Sequence, residues 1–203
     1  MTTALVLTLA AYLIGSVSFA VIVSRAFALP DPRTYGSTNP GATNVLRTGS
    51  KAAALATLVG DGAKGWIAVF LAGQFAESDL REATIAAAGV AVFIGHSFPL
   101  FFRFHGGKGV ATALGVLIGL NLYAAAGSLA TWLVIVAFFR ISSLAALVAA
   151  AFAPFFMLIL YNAAHPFFIG MAIVSTLLVV RHHTNISNLI AGTESRITSG
   201  DGN

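Results

Sequence analysis

The chain has 203 residues, 58% of them hydrophobic and only 9% charged, with a mean hydropathy of +0.89. Soluble domains run at about 25% charged, so the composition is that of an integral membrane protein. The absence of cysteine excludes disulfides, thiolate catalysis and thiolate metal sites, and the net charge of +4 points to anionic lipid and topology control before nucleic acid.

A spanning helix needs about 20 mostly apolar residues. The first candidate, 4–23, follows Met1-Thr2-Thr3, which carries no basic side chain; a cleaved leader needs one, so this segment is expected to remain as a span. Further spans are expected at 52–73, 84–102, 143–160 and 166–180. As a single helix the stretch 110–139 would be about 45 Å long, too long for a ~30 Å core without strong tilt. It contains "GLNLYAAAG" (119–127), whose Asn and Gly offer a turn, so two short spans near 110–122 and 124–139 are the alternative.

Charge selects the split. Arg25, Arg33, Arg47 and Lys51 follow the first span and are cytoplasmic by the positive-inside rule; "ESDLRE" (77–82) falls outside, and Arg103 and Lys108 return inside. One span over 110–139 would put Arg140 and Arg181 outside, whereas two put Arg140, Arg181 and Arg196 inside. The expected fold is all-α: a polytopic membrane protein with seven transmembrane helices, N-terminus periplasmic and C-terminus cytoplasmic. A single integral-membrane domain is expected over 1–203, with a frayed polar tail, "GTESRITSGDGN". Three polar segments, 35–51, 103–112 and 181–194, then meet on the cytoplasmic face.

The first, "YGSTNPGATNVLRTG" (35–49), crowds hydrogen-bond donors together without a carboxylate. Asn39-Pro40 reads as a helix start, Asn as the cap and Pro at the first position. Free amides over Pro40, Gly41 and Ala42 would then favour an anion, phosphate first of all. Thr43 and Arg47 share a helical face, with Ser37 and Asn39 just ahead. A polar interfacial loop whose Asn and Gly simply make turns fits the residue types equally well.

"FHGGKGVAT" (104–112) repeats the pattern: Gly106-Gly107 permits close backbone approach to a ligand, and Lys108 and Thr112 are four apart on the helix expected to follow. It is not a Walker A loop, which needs Gly at Phe102 and Ser or Thr at Gly109; a plain inter-helix turn is the competing reading. In "GDGAKG" (60–65), Asp61 and Lys64 lie inside a span, where charge is costly unless paired or functional. Their i,i+3 spacing allows a structural ion pair, or leaves Lys64 for an anion if Asp61 satisfies another helix. His96, in "GHSFPL", reads as a packed core histidine before a catalytic one. In "RHHTNISNLIAGTE" (181–194), His182 and Asn185 can face one site together, while Arg181 to His183 also suit interfacial anchoring. Glu194 is placed to lock the tail to a basic loop. The chain lacks HxxxxD, GxSxG and a Cys nucleophile, and its few scattered carboxylates support no metal site.

"GSTNPGATNVLR" (36–47), "GHSFPLFFRFHGGKGVAT" (95–112), "HHTNISNLIAGTE" (182–194) and "DGAKG" (61–65) together resemble the bacterial acyl-phosphate:glycerol-3-phosphate acyltransferase family, the PlsY family, over nearly the whole chain. One departure is Asn188, where that family commonly has a basic residue. The resemblance implies acyl transfer from a fatty acyl phosphate to the 1-hydroxyl of glycerol 3-phosphate, giving lysophosphatidic acid and phosphate. This would be the first acylation of phospholipid synthesis, at the cytoplasmic face of the bacterial inner membrane. It implies catalytic roles for His182, Asn185, Ser37 and Arg47. Substrate phosphate would be held by Asn39, Gly41, Thr43, Asn44, Lys64, Gly106, Gly107, Lys108 and Thr112, with Asp61, His96 and Glu194 in support. No cofactor or metal is expected. The implied partners are glycerol 3-phosphate, membrane lipid and acyl phosphate supplied by a soluble or peripheral phosphate acyltransferase; nucleic acid is not among them.

Overall fold

A computed structural model of the chain describes residues 1–197; residues 198–203, part of the tail expected to fray, lie outside the described residues. The described residues form ten α-helices and no strand: α1 (Thr2–Gly15), α2 (Phe19–Ala26), α3 (Ala42–Leu46), α4 (Lys51–Phe75), α5 (Arg81–Ser97), α6 (Val110–Leu120), α7 (Leu122–Phe139), α8 (Ser142–Leu160), α9 (Pro166–Arg181) and α10 (His183–Ile190). Single 3₁₀ turns at Ser78–Leu80 and Leu100–Phe102 flank α5. Four elements are long and apolar enough to cross a membrane: α4, α5 with its flanking turns, α7 and α8. The bent pairs α1–α2 and α9–α10 raise that number to six if each is one span.

The expected first span is two helices bent by 40°. Ser16 Oγ bonds back to the Tyr12 carbonyl at 2.9 Å, a contact that bends helices, and Ser18 then turns extended. The expected break within 110–139 falls at Asn121, whose extended backbone ends α6 and whose Oδ1 caps α7 by accepting from the amides of Tyr123 (2.9 Å) and Ala124 (3.2 Å). Helix α6 is therefore only 11 residues, roughly 16 Å, about half of a ~30 Å apolar core. Helix α5 stops at Ser97 rather than running to 102, because Phe98 and Pro99 leave helical geometry.

Helices α4 and α6 approach backbone to backbone at two glycines. A Cβ on Gly115 would overlap the Gly62 carbonyl, and one on Gly65 would overlap that of Thr112. Gly115→Ala is expected to destabilise the protein by roughly 1–3 kcal/mol, because backbone must move and helix propensity returns at most ~1 kcal/mol. Thermal unfolding in detergent checks this; an unchanged Tm would show that the crossing has slack.

Candidate active site

At one end of the bundle the three polar segments come together around a cavity of about 2050 Å³. Ser37, Asn39, Gly41, Thr43, Asn44, Arg47, Asp61, His96, Gly106, Lys108, His182, Asn185 and Glu194 line it. Lys64, Gly107 and Thr112 are not part of its lining.

The 35–49 segment differs locally from expectation. Helix α3 begins at Ala42 behind an extended Gly41 and runs for five residues, so Asn39 is not its cap and Pro40 is not its first residue. The chain is still turning there: Thr38 has φ 55, and the Gly41 amide bonds the Asn39 carbonyl at 2.9 Å. Asn44 is buried and holds this turn. Its Oδ1 accepts from Ser37 N (3.1 Å), and its Nδ2 donates to the carbonyls of Pro32 (2.7 Å) and Tyr35 (3.2 Å). That places Asn44 in the scaffold of the loop rather than at a ligand. Ser37, Thr43 and Arg47 are exposed on the cavity side. Arg47 Nη2 donates to Ser195 Oγ at 3.0 Å, which joins the loop to the C-terminal segment.

Helix α6 opens at Val110 behind Gly109 in the left-handed region, so Lys108 precedes the helix instead of sharing it with Thr112. Thr112 is fully buried and donates to the Asp61 carbonyl at 3.0 Å; its hydroxyl fastens α6 to α4 and does not face a ligand. The two glycines of the loop are required by the protein itself. A Cβ on Gly106 would strike the His96 carbonyl and Pro99, and one on Gly107 the His96 ring. The Gly107 amide already donates to the His96 carbonyl at 3.1 Å, so it is not free for an anion.

Arg181 completes this clamp. Its Nη2 donates to the Gly106 carbonyl at 2.9 Å and its Nε to the Gly107 carbonyl at 3.3 Å, while the guanidinium lies over Phe98 at 5.2 Å. Turning both carbonyls toward Arg181 leaves the loop's electropositive side for the cavity. Nothing in the residue types marked Arg181 out from an interfacial anchor; only its position after an apolar helix hinted at more. Lys108 is half-buried, lines the cavity, and has no hydrogen bond or ion pair among the described residues. Burial lowers its pKa, the Glu194 charge opposes that, and Arg181 and Arg47 lower it further. Three cations therefore lie close enough to repel one another, an arrangement that an anion relieves.

The buried Asp61–Lys64 pair is structural here. Lys64 Nζ lies 2.9 Å from Asp61 Oδ1, an ion pair whose angles fall outside those of a directed hydrogen bond. The same Nζ donates to the Val17 carbonyl at the α1–α2 break (2.8 Å), which keeps Lys64 out of the cavity. His96 Nδ1 reaches the same carboxylate oxygen at 3.5 Å. Together they fix α4, α5 and the first bend behind the site.

His182 sits in the turn between α9 and α10, 2% exposed. Nδ1 lies 2.8 Å from the Leu178 carbonyl. A carbonyl only accepts, so Nδ1 carries the proton and Nε2 keeps its lone pair. Nε2 has no protein partner among the described residues. Burial pulls the His182 pKa down to about 4 against the Leu178 bond, with the Lys108 charge adding to the depression. Asn185 follows one turn later; its Nδ2 donates to Glu194 Oε1 at 2.6 Å. Ser143 Oγ donates to the same oxygen, also at 2.6 Å. Burial works to raise the Glu194 pKa, and hydrogen bonds from Ser143, Asn185 and Asn188 with the Lys108 charge hold it below the usual range. Glu194 thus locks the tail to α8 and α10 rather than to a basic loop. The described part of the tail is anchored, not frayed, for Ile197 N also bonds the Arg140 carbonyl at 2.6 Å.

The model of the family described as glycerol-3-phosphate acyltransferase matches residues 5–192. A glycerol-3-phosphate acyltransferase from Cupriavidus taiwanensis is 57% identical over 194 residues, 95% of this chain and 96% of that protein. One from Ralstonia pickettii is 58% identical over 193 residues, 95% of this chain and 93% of that protein. Among solved structures, the glycerol 3-phosphate form of PlsY (YgiH), an integral membrane glycerol 3-phosphate acyltransferase, superposes with TM-score 0.90 at 34% identity, covering 97% of this chain and 96% of that one. Its lysophosphatidic acid form gives 0.88 at 33% identity, with the same coverage. With these matches running nearly end to end, this multi-pass, all-helical membrane protein belongs to the glycerol-3-phosphate acyltransferase family.

Proposed function

We propose that the chain, working over 1–203 as one membrane unit, transfers a fatty acyl group from acyl phosphate to the 1-hydroxyl of glycerol 3-phosphate. Lysophosphatidic acid and inorganic phosphate are the products, and no cofactor takes part. The observation that carries this reading is the joining of two unlike surfaces in one cavity. Arg47 and Lys108 stand at its polar end, and an apolar arm runs from there between α6, α7, α8 and α9. Both substrates bring phosphate to the first, and the acyl chain suits the second. A solved relative in a glycerol 3-phosphate form supports the same acceptor.

Acyl phosphate is already activated, so the protein has mainly to place the hydroxyl and stabilise charge on the carbonyl and the departing phosphate. Lys108 and Arg47 take substrate phosphate, with Ser37, Thr43, Asn39 and the Gly106 amide beside them; the Gly41 amide is already bonded to the Asn39 carbonyl and only shapes the turn. Lys64, Gly107, Asn44 and Thr112 act only by shaping that frame. His182 Nε2 accepts the proton of the 1-hydroxyl while its oxygen attacks the acyl carbonyl carbon. The carbon–oxygen bond to phosphate then breaks, and the imidazolium returns its proton to the phosphate. Asn185, held by Glu194, orients the glycerol hydroxyls.

Purified protein in detergent is expected to form lysophosphatidic acid from acyl phosphate and glycerol 3-phosphate, and to form none from acyl-CoA or acyl-carrier protein unless these are first converted. Comparable rates with purified acyl-CoA would overturn the donor assignment. The donor would be supplied by a soluble or peripheral phosphate acyltransferase.

The break at Asn121 and the charges at helix ends support seven crossings of the bacterial inner membrane, N-terminus outside and the site facing the cytoplasm, with α6 a crossing shorter than the apolar core. Single cysteines at positions 36, 105, 141 and 199 are then labelled only from the cytoplasmic side. Labelling of position 199 from outside would remove the separate crossing of α6.

A further inference from the structure

The apolar arm of the cavity has a defined depth. Leu178, Ser175 and Met171 line it from one face of α9, and Ala146, Ala150 and Ala153 from one face of α8. Their spacings of three and four residues put each set along one face of its helix. One turn further from the site, Met157 (0% exposed) and Phe167 (9%) belong to the buried core and are no part of the cavity lining. Along these two walls the arm ends between Met171 and Phe167 on α9 and between Ala153 and Met157 on α8, while exposed Ile118 and Leu129 line its α6–α7 side.

The two walls give the same depth. His182 and Met171 are eleven positions apart along α9, and Ser143 and Ala153 are ten apart along α8. At ~1.5 Å per residue this is roughly 16 Å, the reach of roughly 12 to 13 carbons of an extended chain. The alanines keep the arm open, since a larger side chain at any of them would fill it.

We propose that this arm is a ruler for the acyl chain, with Ala153 and Met171, backed by Met157 and Phe167, setting where the methyl end must stop. The inference rests on the acyl-transfer reading above and adds the residues that decide chain length. Close-packed interiors yield little to an extra methylene, so a chain longer than the arm must bend or displace the floor.

The test compares kcat/KM for acyl phosphates of roughly 8 to 18 carbons in the wild type and three variants. Ala153→Phe raises the floor and is expected to cut kcat/KM for the longest chain at least tenfold relative to the shortest. Ala149→Phe, at a half-buried lining position nearer the site, moves the cut-off to shorter chains and serves where Ala153→Phe fails to fold. Met171→Ala deepens the arm and shifts the ratio toward long chains. Variants that scale all lengths by one factor overturn the ruler. A second readout does not need the reaction: the thermal shift given by lysophosphatidic acids of the same lengths should move in parallel. Length-dependent shifts without acyl-phosphate turnover would sink the donor reading and keep the ruler; turnover with length-independent shifts would do the reverse.

Discussion

Lys108→Ala is expected to lower kcat/KM by tenfold or more in a protein that still folds, with Arg47→Ala close behind. Hydrogen bonds to charged groups contribute roughly 1.5–3 kcal/mol, and about 1.4 kcal/mol is a factor of ten. Lys108 is half-buried among like charges, so its attraction for phosphate is poorly screened. Arg47 is exposed and already shares a bond with Ser195, which places its loss nearer the lower end. Lys108→Arg is not a mild change, because a planar fork replaces a compact ammonium at the mouth of a tight loop. Steady-state kinetics on detergent-purified variants of unchanged Tm decide the matter. A loss below about threefold at both positions would place the phosphates elsewhere.

His182→Ala should cost more, roughly 10²- to 10⁴-fold in kcat with KM nearly intact, if Nε2 takes the hydroxyl proton. The pH profile carries the sharper signature. A histidine depressed to about 4 is in its base form at every pH above that value, so activity that depends on it is lost as pH falls through about 4, not through the ordinary ~6.5. Substrate phosphate brings its own ionisation near ~6. With His182 as the base, the wild type is expected to show a limb near 4 that vanishes in His182→Ala. A variant that keeps near-native kcat, with its only acidic limb near 6, would make the substrate phosphate the proton acceptor.

Much of this arrangement is legible in the residues, and the failures have a common cause. The break at Asn121 could be read because an over-long apolar run, a turn residue and charge parity all pointed to it. Asn39-Pro40 carries the capping chemistry of a helix start, but that chemistry does not decide how many residues follow in helical form. Only five residues do, and the cap is Gly41. Lys108 and Thr112 have the spacing of one helical face, but Gly109 intervenes, and Thr112 is spent on a carbonyl 51 positions away. Asn44 likewise serves its own loop. Distant partners leave no local trace: Ser143 for Glu194, Ser195 for Arg47, and the two glycine carbonyls for Arg181. The donor-rich segments and their meeting point were visible; which donors remain free depends on contacts between segments far apart in the chain.

The break at Asn121 also bears on how the protein is made. Eleven residues are too few to be recognised by the insertion machinery as a full crossing, so under the proposed seven-crossing arrangement α6 has to enter the bilayer together with α7. Asn121 keeps them two helices, since its side chain satisfies the amides that a continuous rod would bond to α6 carbonyls. A replacement by leucine favours one rod, and with it one crossing where there were two. Everything downstream would then reverse: α8, α9 and the tail would thread in the opposite sense and carry His182, Asn185 and Glu194 to the far side of the membrane. A single change remote from any substrate would then abolish growth complementation with every reacting group chemically intact, and a second change that restores the break would rescue it.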